Sequence, residues 1–314
     1  MFNFNSIVIL FVGSSLLFGT IHQQESKKRT ITRVRKPDLP AKPDIYFDDL
    51  FAEALVGDRP QPEKINQNAS ANPNGIASNS ESITSARWSQ HISREAIEDE
   101  IKRINQQLGR SITSPSGFNS QAQTARQHFS QLSMLFAIIG QYDKEVRWKK
   151  FARSAQVNFA DAANAARTPS RQSFAVAKSR QQDLNALVRG AGIPTDEHSE
   201  KIRWPTVADR GPLMERLETA LRDNIKPAAA GSEAFDRDKN KLLLEANIIA
   251  AISQVLIQEE MDDADDDGYV EYSNSMGSAA RILKNAIEGN DFDAAAAAIN
   301  KLEQSCNRCH AEWR

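Results

Sequence analysis

The feature that most constrains the fold of this 314-residue chain is an apolar seam in its last segment. The members of the seam follow one another at alternating intervals of three and four residues: Phe292, Ala295, Ile299, Leu302, Cys306, Cys309 and Trp313. This spacing marks one face of an α-helix that packs against other helices. The chain is therefore predicted to end in a helix of a bundle, with both cysteines facing the bundle core.

The same pattern occurs earlier in the chain, so the sequence contains an internal repeat. Moving the last segment back by 118 residues places four seam positions on Phe174, Ala177, Leu184 and Val188. A second segment, moved back by 117 residues, carries the seam Leu242, Ala246, Ile249, Ser253 and Leu256 onto Ala125, Phe129, Leu132, Phe136 and Ile139. Two offsets that agree within one residue predict duplicated domains.

We predict an all-α fold, with two tandem four-helix bundles after a disordered N-terminal linker. The helical segments are 91–109, 118–142, 146–167 and 171–189, and then 212–225, 234–261, 269–288 and 291–312. Glycine and proline residues between the segments support these boundaries. The two domains are 86–192 and 205–314.

The N-terminal region is predicted to direct the chain out of the cytoplasm. Residues 1–21 carry no charged side chain, and their apolar centre is typical of a secretory signal peptide. No Lys or Arg precedes that centre and no small-x-small cleavage site follows it, so an uncleaved membrane anchor is the alternative. Residues 22–85 are rich in Pro, Asn, Ser and Gln and are predicted to be a mostly disordered linker. The predicted localisation is periplasmic or otherwise extracytoplasmic.

The last helix ends in the sequence Cys-x-x-Cys-His, formed by Cys306, Cys309 and His310. In this pattern the two thiols form thioethers to a haem and the adjacent imidazole binds its iron. One covalently attached haem c is therefore predicted, with His310 as the proximal iron ligand. In the first repeat these three positions hold Val188, Ala191 and Gly192, so that copy is predicted to be free of haem.

Three other roles for the cysteine pair remain: a structural disulfide, a redox-active dithiol and part of a zinc site. A redox-active pair normally opens a helix after a strand, whereas this pair ends the chain with no strand pattern near it. Zinc would need further ligands, and the other histidines lie far upstream with no ligand-like spacing: His22, His91, His128 and His198.

Residues 205–314 resemble the class II c-type cytochromes of the cytochrome c-prime superfamily, on the basis of the Cys306-x-x-Cys309-His310 motif in the last helix of a four-helix bundle. The ending His310-Ala311-Glu312-Trp313-Arg314 also resembles the soluble b-type bundle cytochrome. In low-spin relatives a methionine of the first helix is the second axial ligand, and Met214 lies in the similar segment here. The alternative for Met214 is an ordinary core methionine beside the haem.

The resemblance implies different functions, depending on whether a side chain occupies the sixth coordination position of the haem iron. With Met214 on the iron, the expected function is one-electron transfer to a redox partner protein. Without it, a five-coordinate iron would bind NO or CO. A third alternative is a partner-binding module with a structural haem. Because no acid–base pair is placed near the motif, no catalytic residue and no enzyme activity is predicted. A homodimer is an expectation from the resembled family.

An acidic connection in the second repeat matches the start of an EF-hand calcium loop at four positions: Asp263, Asp265, Asp267 and Gly268. The twelfth position is Asn274 instead of a bidentate glutamate, so a solvated loop is predicted and calcium is not. The run from Glu259 to Asp267 would also suit a basic redox partner. With a formal net charge of −2, nucleic-acid binding is not predicted.

Overall fold

The structure, a computed structural model, describes residues 87–195 and 201–313, all within one compact unit of residues 79–314. The predicted signal or anchor (1–21) and the predicted linker (22–85) lie outside the described residues. Over the described ranges the regular secondary structure is helical and no strand occurs, which confirms the all-α prediction. No helix in these ranges is long and apolar enough to cross a membrane.

The first bundle consists of four helices: α1 Arg94–Ser111, α2 Pro115–Gln141, α3 Ala152–Ala165 and α4 Arg171–Val188. Three of these helices have a serine as the N-cap residue. Ser93, Ser114 and Ser170 each accept a hydrogen bond from a backbone N–H of the first turn, which would otherwise have no partner. Helix α1 packs against α4, and both contact α2. The bundle is therefore closed on itself.

The third predicted helix of the first bundle begins six residues later than the sequence pattern indicated. Residues 147–148 form a turn in which Trp148 has a φ of 66°, and a 3-10 helix, Lys149–Phe151, follows before α3. The Trp148 indole N–H donates to the Leu187 carbonyl oxygen at 2.7 Å. This long-range contact holds the left-handed backbone that interrupts the helix.

The second bundle follows a short helix, α5 Trp204–Val207. Its segments are α6 Arg210–Thr219, a π-helix Ala220–Ile225, α7 Lys226–Ala228, α8 Ser232–Leu256, α9 Asp267–Glu288 and α10 Phe292–Glu312. The order of the four main segments agrees with the predicted ones. The main differences are at three helix ends, since α8 begins and ends earlier than predicted and α6 begins before residue 212.

The π-helix joins α6 to α7, so that the three segments form one continuous helix. Pro227 cannot donate a backbone hydrogen bond, and its ring would meet the carbonyl of residue 223 in an α-helix. The helix widens just before this proline, so that the Lys226 N–H reaches the Leu221 carbonyl, five residues back. The wider turn relieves the conflict and keeps the helix continuous.

The predicted seams form the cores of both bundles. All five seam residues of α2 and all five of α8 are buried. In α10, Ala295, Ile299 and Leu302 are also buried, but Cys306 and Cys309 are only partly so. The α10 seam therefore opens towards its end, where the second bundle contains a cavity.

The two bundles are in contact along several helices. Helix α2 packs against α6, and α1 packs against α8. The rings of Trp88 and Trp204 lie 5.5 Å apart between centroids, and the Ser93 N–H donates to Asn247 Oδ1 at 3.0 Å. The first bundle thus covers the outer face of α6, and the opposite face of α6 is directed towards α10.

Candidate cofactor-binding cleft

A cavity of about 620 Å³ lies between α6, α9 and the end of α10. The wall formed by α10 includes Cys306, Cys309 and His310, and the facing wall formed by α6 includes Met214. The four residues predicted as the haem site therefore line one cavity, which we call the cofactor cleft. They come from segments about ninety residues apart, so the bundle fold is what brings them together.

The helical repeat explains how these side chains reach the cleft. Cys306 and Cys309 lie three residues apart in α10, and His310 follows four residues after Cys306, so all three lie on one side of the helix. On the facing wall, Met214, Leu217 and Leu221 follow the same three-and-four spacing and also line the cleft. Cys306 and Cys309 are half-buried, and His310 is exposed at the rim.

The structure adds Met276 of α9 to the cleft, a residue that the sequence analysis did not identify. Met276 is buried and lies on a seam of α9 with the same alternating spacing: Tyr269, Ser273, Met276, Ala280, Leu283 and Ile287. The alternating spacing of these residues is the sequence signal that indicates a buried position for Met276. The cleft therefore contains two thioether side chains, one on α6 and one on α9.

Aromatic side chains hold the end of α10 in place. The Trp313 ring lies 6.0 Å from the ring of Tyr269 and 5.6 Å from that of Tyr272. The Tyr272 hydroxyl donates to Glu312 Oε1 at 3.2 Å. A Cβ at Gly268 would lie only 2.8 Å from the indole of Trp313, so the start of α9 is closely covered by this ring. These contacts fix the helix turn that carries His310.

The two cysteines are free thiols in the structure and have little tendency to ionise. Burial raises the pKa of Cys306, and the neighbouring Cys309 adds to this effect. Burial also raises the pKa of Cys309. Redox-active Cys-x-x-Cys pairs have a lowered thiol pKa at a helix N-terminus, whereas this pair lies near the C-terminal end of α10, where the helix dipole disfavours a thiolate. These properties argue against the redox-active dithiol.

The acidic connection between α8 and α9 is occupied by protein contacts. Asp263 pairs with Arg210, and Asp266 accepts a hydrogen bond from the Tyr269 N–H at 3.0 Å as the N-cap of α9. Asp265 and Asp267 are exposed. In residues 87–195 and 201–313, no group of three or more His, Cys, Asp and Glu side chains is arranged to hold a metal ion.

Part of the acidic charge before α9 is neutralised within the chain. Glu259 lies 3.3 Å from Lys201, and Glu260 lies 2.8 Å from Arg203. Together with the Asp263–Arg210 pair, these contacts tie the connection to the segment that begins the second bundle. Fewer carboxylates therefore remain unpaired on this surface than the run from Glu259 to Asp267 suggested.

At the corresponding end of the first bundle, aromatic side chains occupy the space beside α4. Trp148 packs against Phe136, with ring centroids 6.1 Å apart, and caps the end of α4 at Leu187. The Phe151 ring lies so close to Gly192 that a Cβ there would be 2.8 Å from it. Gly192 stands where the second bundle has His310. The two repeats thus share their helices but differ at this end.

Comparisons of the chain with protein-family models, curated proteins and solved structures find no match. The geometry of the cofactor cleft is therefore the basis for assigning a function.

Proposed function

We propose that this protein is a c-type cytochrome that carries one haem in the cofactor cleft and transfers single electrons. Cys306 and Cys309 would attach the haem, and His310 and Met214 would bind its iron. The observation that supports this proposal best is that one cavity is lined by all four residues. When bound, the haem would supply a one-electron iron couple, which the protein tunes through its axial ligands and surroundings.

The size and chemistry of the cleft suit this cofactor. Its volume of about 620 Å³ lies within the roughly 300–1,000 Å³ typical of ligand and cofactor pockets. Leu217, Leu221 and Met276 provide apolar walls, and Glu215 and Asn307 provide polar groups. The apolar walls would exclude water from a bound macrocycle, and the polar groups would suit its solvent-facing edge.

Met214 favours electron transfer over the other functions. A thioether ligand opposite a histidine gives a low-spin site with a raised potential. The π-helix keeps α6 and α7 continuous, and the first bundle packs on the outer face of α6. The wall that carries Met214 is thus supported from behind, which suits a site that changes redox state with little rearrangement.

A second candidate function, binding of NO or CO, is favoured by the apolar residues beside Met214. Leu217 and Leu221 lie on the same wall and would form an apolar distal pocket if Met214 turned away from the iron. The two candidates differ only in whether Met214 is a ligand. The third alternative, a partner-binding module with a structural haem, would use the first bundle as the recruiting surface.

The proposal extends to the place and partner of the reaction. Thioether attachment of this kind takes place outside the cytoplasmic membrane in the resembled family, so we place the protein there, released or anchored through residues 1–21. The redox partner would meet the exposed rim at His310. The remaining exposed carboxylates, Asp265 and Asp267, would favour a basic partner, whose association would weaken with salt.

The test of covalent attachment is the mass of the full chain after expression with a c-type haem maturation system. We expect the denatured protein to retain the mass and absorbance of one haem. The double substitution Cys306→Ala and Cys309→Ala should lose both, whereas Ser305→Ala, a buried neighbour, should retain them. A parent chain without attached haem under conditions that mature a control cytochrome would overturn the proposal.

A further inference from the structure

A second cavity, of about 590 Å³, lies where the two bundles meet. Its walls come from α1, α2 and the segment from α6 into the π-helix. Thr219 lines this cavity, whereas Met214 and Leu217 of the same helix line the cofactor cleft. We call it the inter-bundle pocket. It is formed by both repeats and is separate from the proposed haem site.

Two buried polar side chains of the inter-bundle pocket have atoms without a hydrogen-bond partner among the described residues. His128 is 6% exposed and Gln131 is 1% exposed, and both line the pocket. The Nδ1 atom of His128 and both terminal amide atoms of Gln131 are unpaired. Native proteins rarely leave such groups unpaired, because a buried donor or acceptor without a partner is unfavourable. Their position on the pocket wall points to a ligand that supplies the missing partners.

The charge of the pocket indicates the chemistry of that ligand. Its charged lining residues are Arg103, Arg110 and Arg216, and none of the lining residues is Asp or Glu. Glu100 lies behind the wall, where it pairs with Arg103 at 2.6 Å and Arg216 at 3.2 Å, and Arg216 also pairs with Glu245. The two carboxylates behind the wall thus balance the charges of Arg103 and Arg216. Arg110, exposed in the last turn of α1, supplies the excess positive charge.

His128 contributes hydrogen bonds and no charge at neutral pH. Burial lowers its pKa to about 4, and the nearby Arg103 adds to this effect. The neutral imidazole has one donor and one acceptor nitrogen, and the Gln131 amide has both kinds of group as well. The floor of the pocket therefore suits hydroxyl or amide groups, whereas the guanidinium groups suit an anion.

We propose that the inter-bundle pocket binds a small hydrophilic anion, with one carboxylate or phosphate group and several hydroxyl groups. Arg110 binds the anionic group, which guanidinium groups recognise through paired hydrogen bonds. Arg103 adds positive charge beside it, although its guanidinium group already donates to Glu100 and Gln107. Gln131 and His128 bind the hydroxyl groups. The volume is within the range of pockets for small metabolites.

The test is calorimetric titration of the full chain with glucose 6-phosphate and with gluconate, beside neutral glucose. These probes share hydroxyl groups and differ in the charged group. We expect at least one anion to bind and glucose to bind at least about tenfold more weakly, as the loss of a charge-assisted hydrogen bond predicts. Which anion binds distinguishes phosphate from carboxylate. Binding of neither anion, or equal binding of glucose, would overturn the proposal.

Two substitutions locate the binding. Gln131→Leu removes both unpaired amide atoms at similar size, and Arg110→Gln removes the exposed charge. Each should weaken binding of the anion at least about tenfold, whereas Arg171→Gln, an exposed arginine at the start of α4, should leave it within about twofold. If neither substitution weakens binding of the anion, the anion binds outside the inter-bundle pocket and the proposal is wrong. Because Arg110 is exposed, its variant keeps the test valid even if Gln131→Leu does not fold.

Discussion

Arg216 of the second bundle and Glu100 of the first form an ion pair across the bundle interface, with Arg216 Nη2 3.2 Å from Glu100 Oε1. The two side chains are only 4% and 1% exposed. Arg216 also lies 2.6 Å from Glu245 of its own bundle, through Nη1. Although burial raises the pKa of Glu100, the charges of Arg216 and Arg103 outweigh it and lower that pKa. One cation therefore pairs with a carboxylate from each bundle, and Arg103, which also pairs with Glu100, balances the second negative charge.

The first prediction concerns this triad. Arg216→Met should lower the free energy of unfolding by about 3–5 kcal/mol, because it leaves two buried carboxylates without their shared cation. The measurement is urea unfolding followed by circular dichroism. Arg237→Met, which removes an exposed arginine from α8, should change the midpoint little. A midpoint for Arg216→Met equal to that of Arg237→Met would contradict this role.

The second prediction is a pH dependence that arises from His128. Its folded-state pKa of about 4 lies below the ordinary 6.5, so the unfolded chain binds more protons between these values. Stability due to this group is complete above pH 6.5 and falls as the pH drops towards 4, by about 3 kcal/mol in total. His128→Gln should remove this part of the pH dependence. Unfolding measured in urea between pH 7 and 4.5 tests it, and an unchanged slope in the variant would refute it.

The third prediction separates the two methionines of the cofactor cleft. Under the proposed function, the parent should show a low-spin spectrum that CO does not change, and Met214→Ala should become high-spin and bind CO. Met276→Ala is the matched control, because it removes a thioether from the same cleft and should keep the low-spin spectrum. The reverse result would make Met276 the sixth ligand. A high-spin parent that binds CO would favour the gas-binding function instead.

The fourth prediction concerns the contact between α8 and α9. A Cβ at Gly277 would overlap Oγ of Ser253, which is buried on the α8 seam. Gly277→Ala should therefore destabilise the chain by about 1–3 kcal/mol, despite the higher helix propensity of alanine. Adding Ser253→Ala should recover part of the loss, since it removes the overlapping atom. Thermal unfolding of the single and double variants checks this, and equal loss in both would show that the overlap is not the cause.

The sequence by itself determined the helices and the chemistry of the proposed site. Alternating apolar spacing identifies a buried helix face from local residues alone, so the seams of α2, α8 and α10 could be predicted. The Cys306-x-x-Cys309-His310 motif is also local, because one helix turn brings its members together. The placement of Met214 rested on a resemblance, and the structure puts this residue in the same cleft.

Only the tertiary structure decided how the helices meet. The long-range contact of Trp148 with Leu187 holds the turn that delays the start of the predicted third helix to Ala152, and Met276 joins the cleft because α9 packs beside α10. The triad around Arg216 and the inter-bundle pocket depend on residues more than eighty positions apart. A charged residue has the same local pattern whether it is solvated or buried between bundles. Its partners are set by packing of distant apolar faces, which local spacing does not specify.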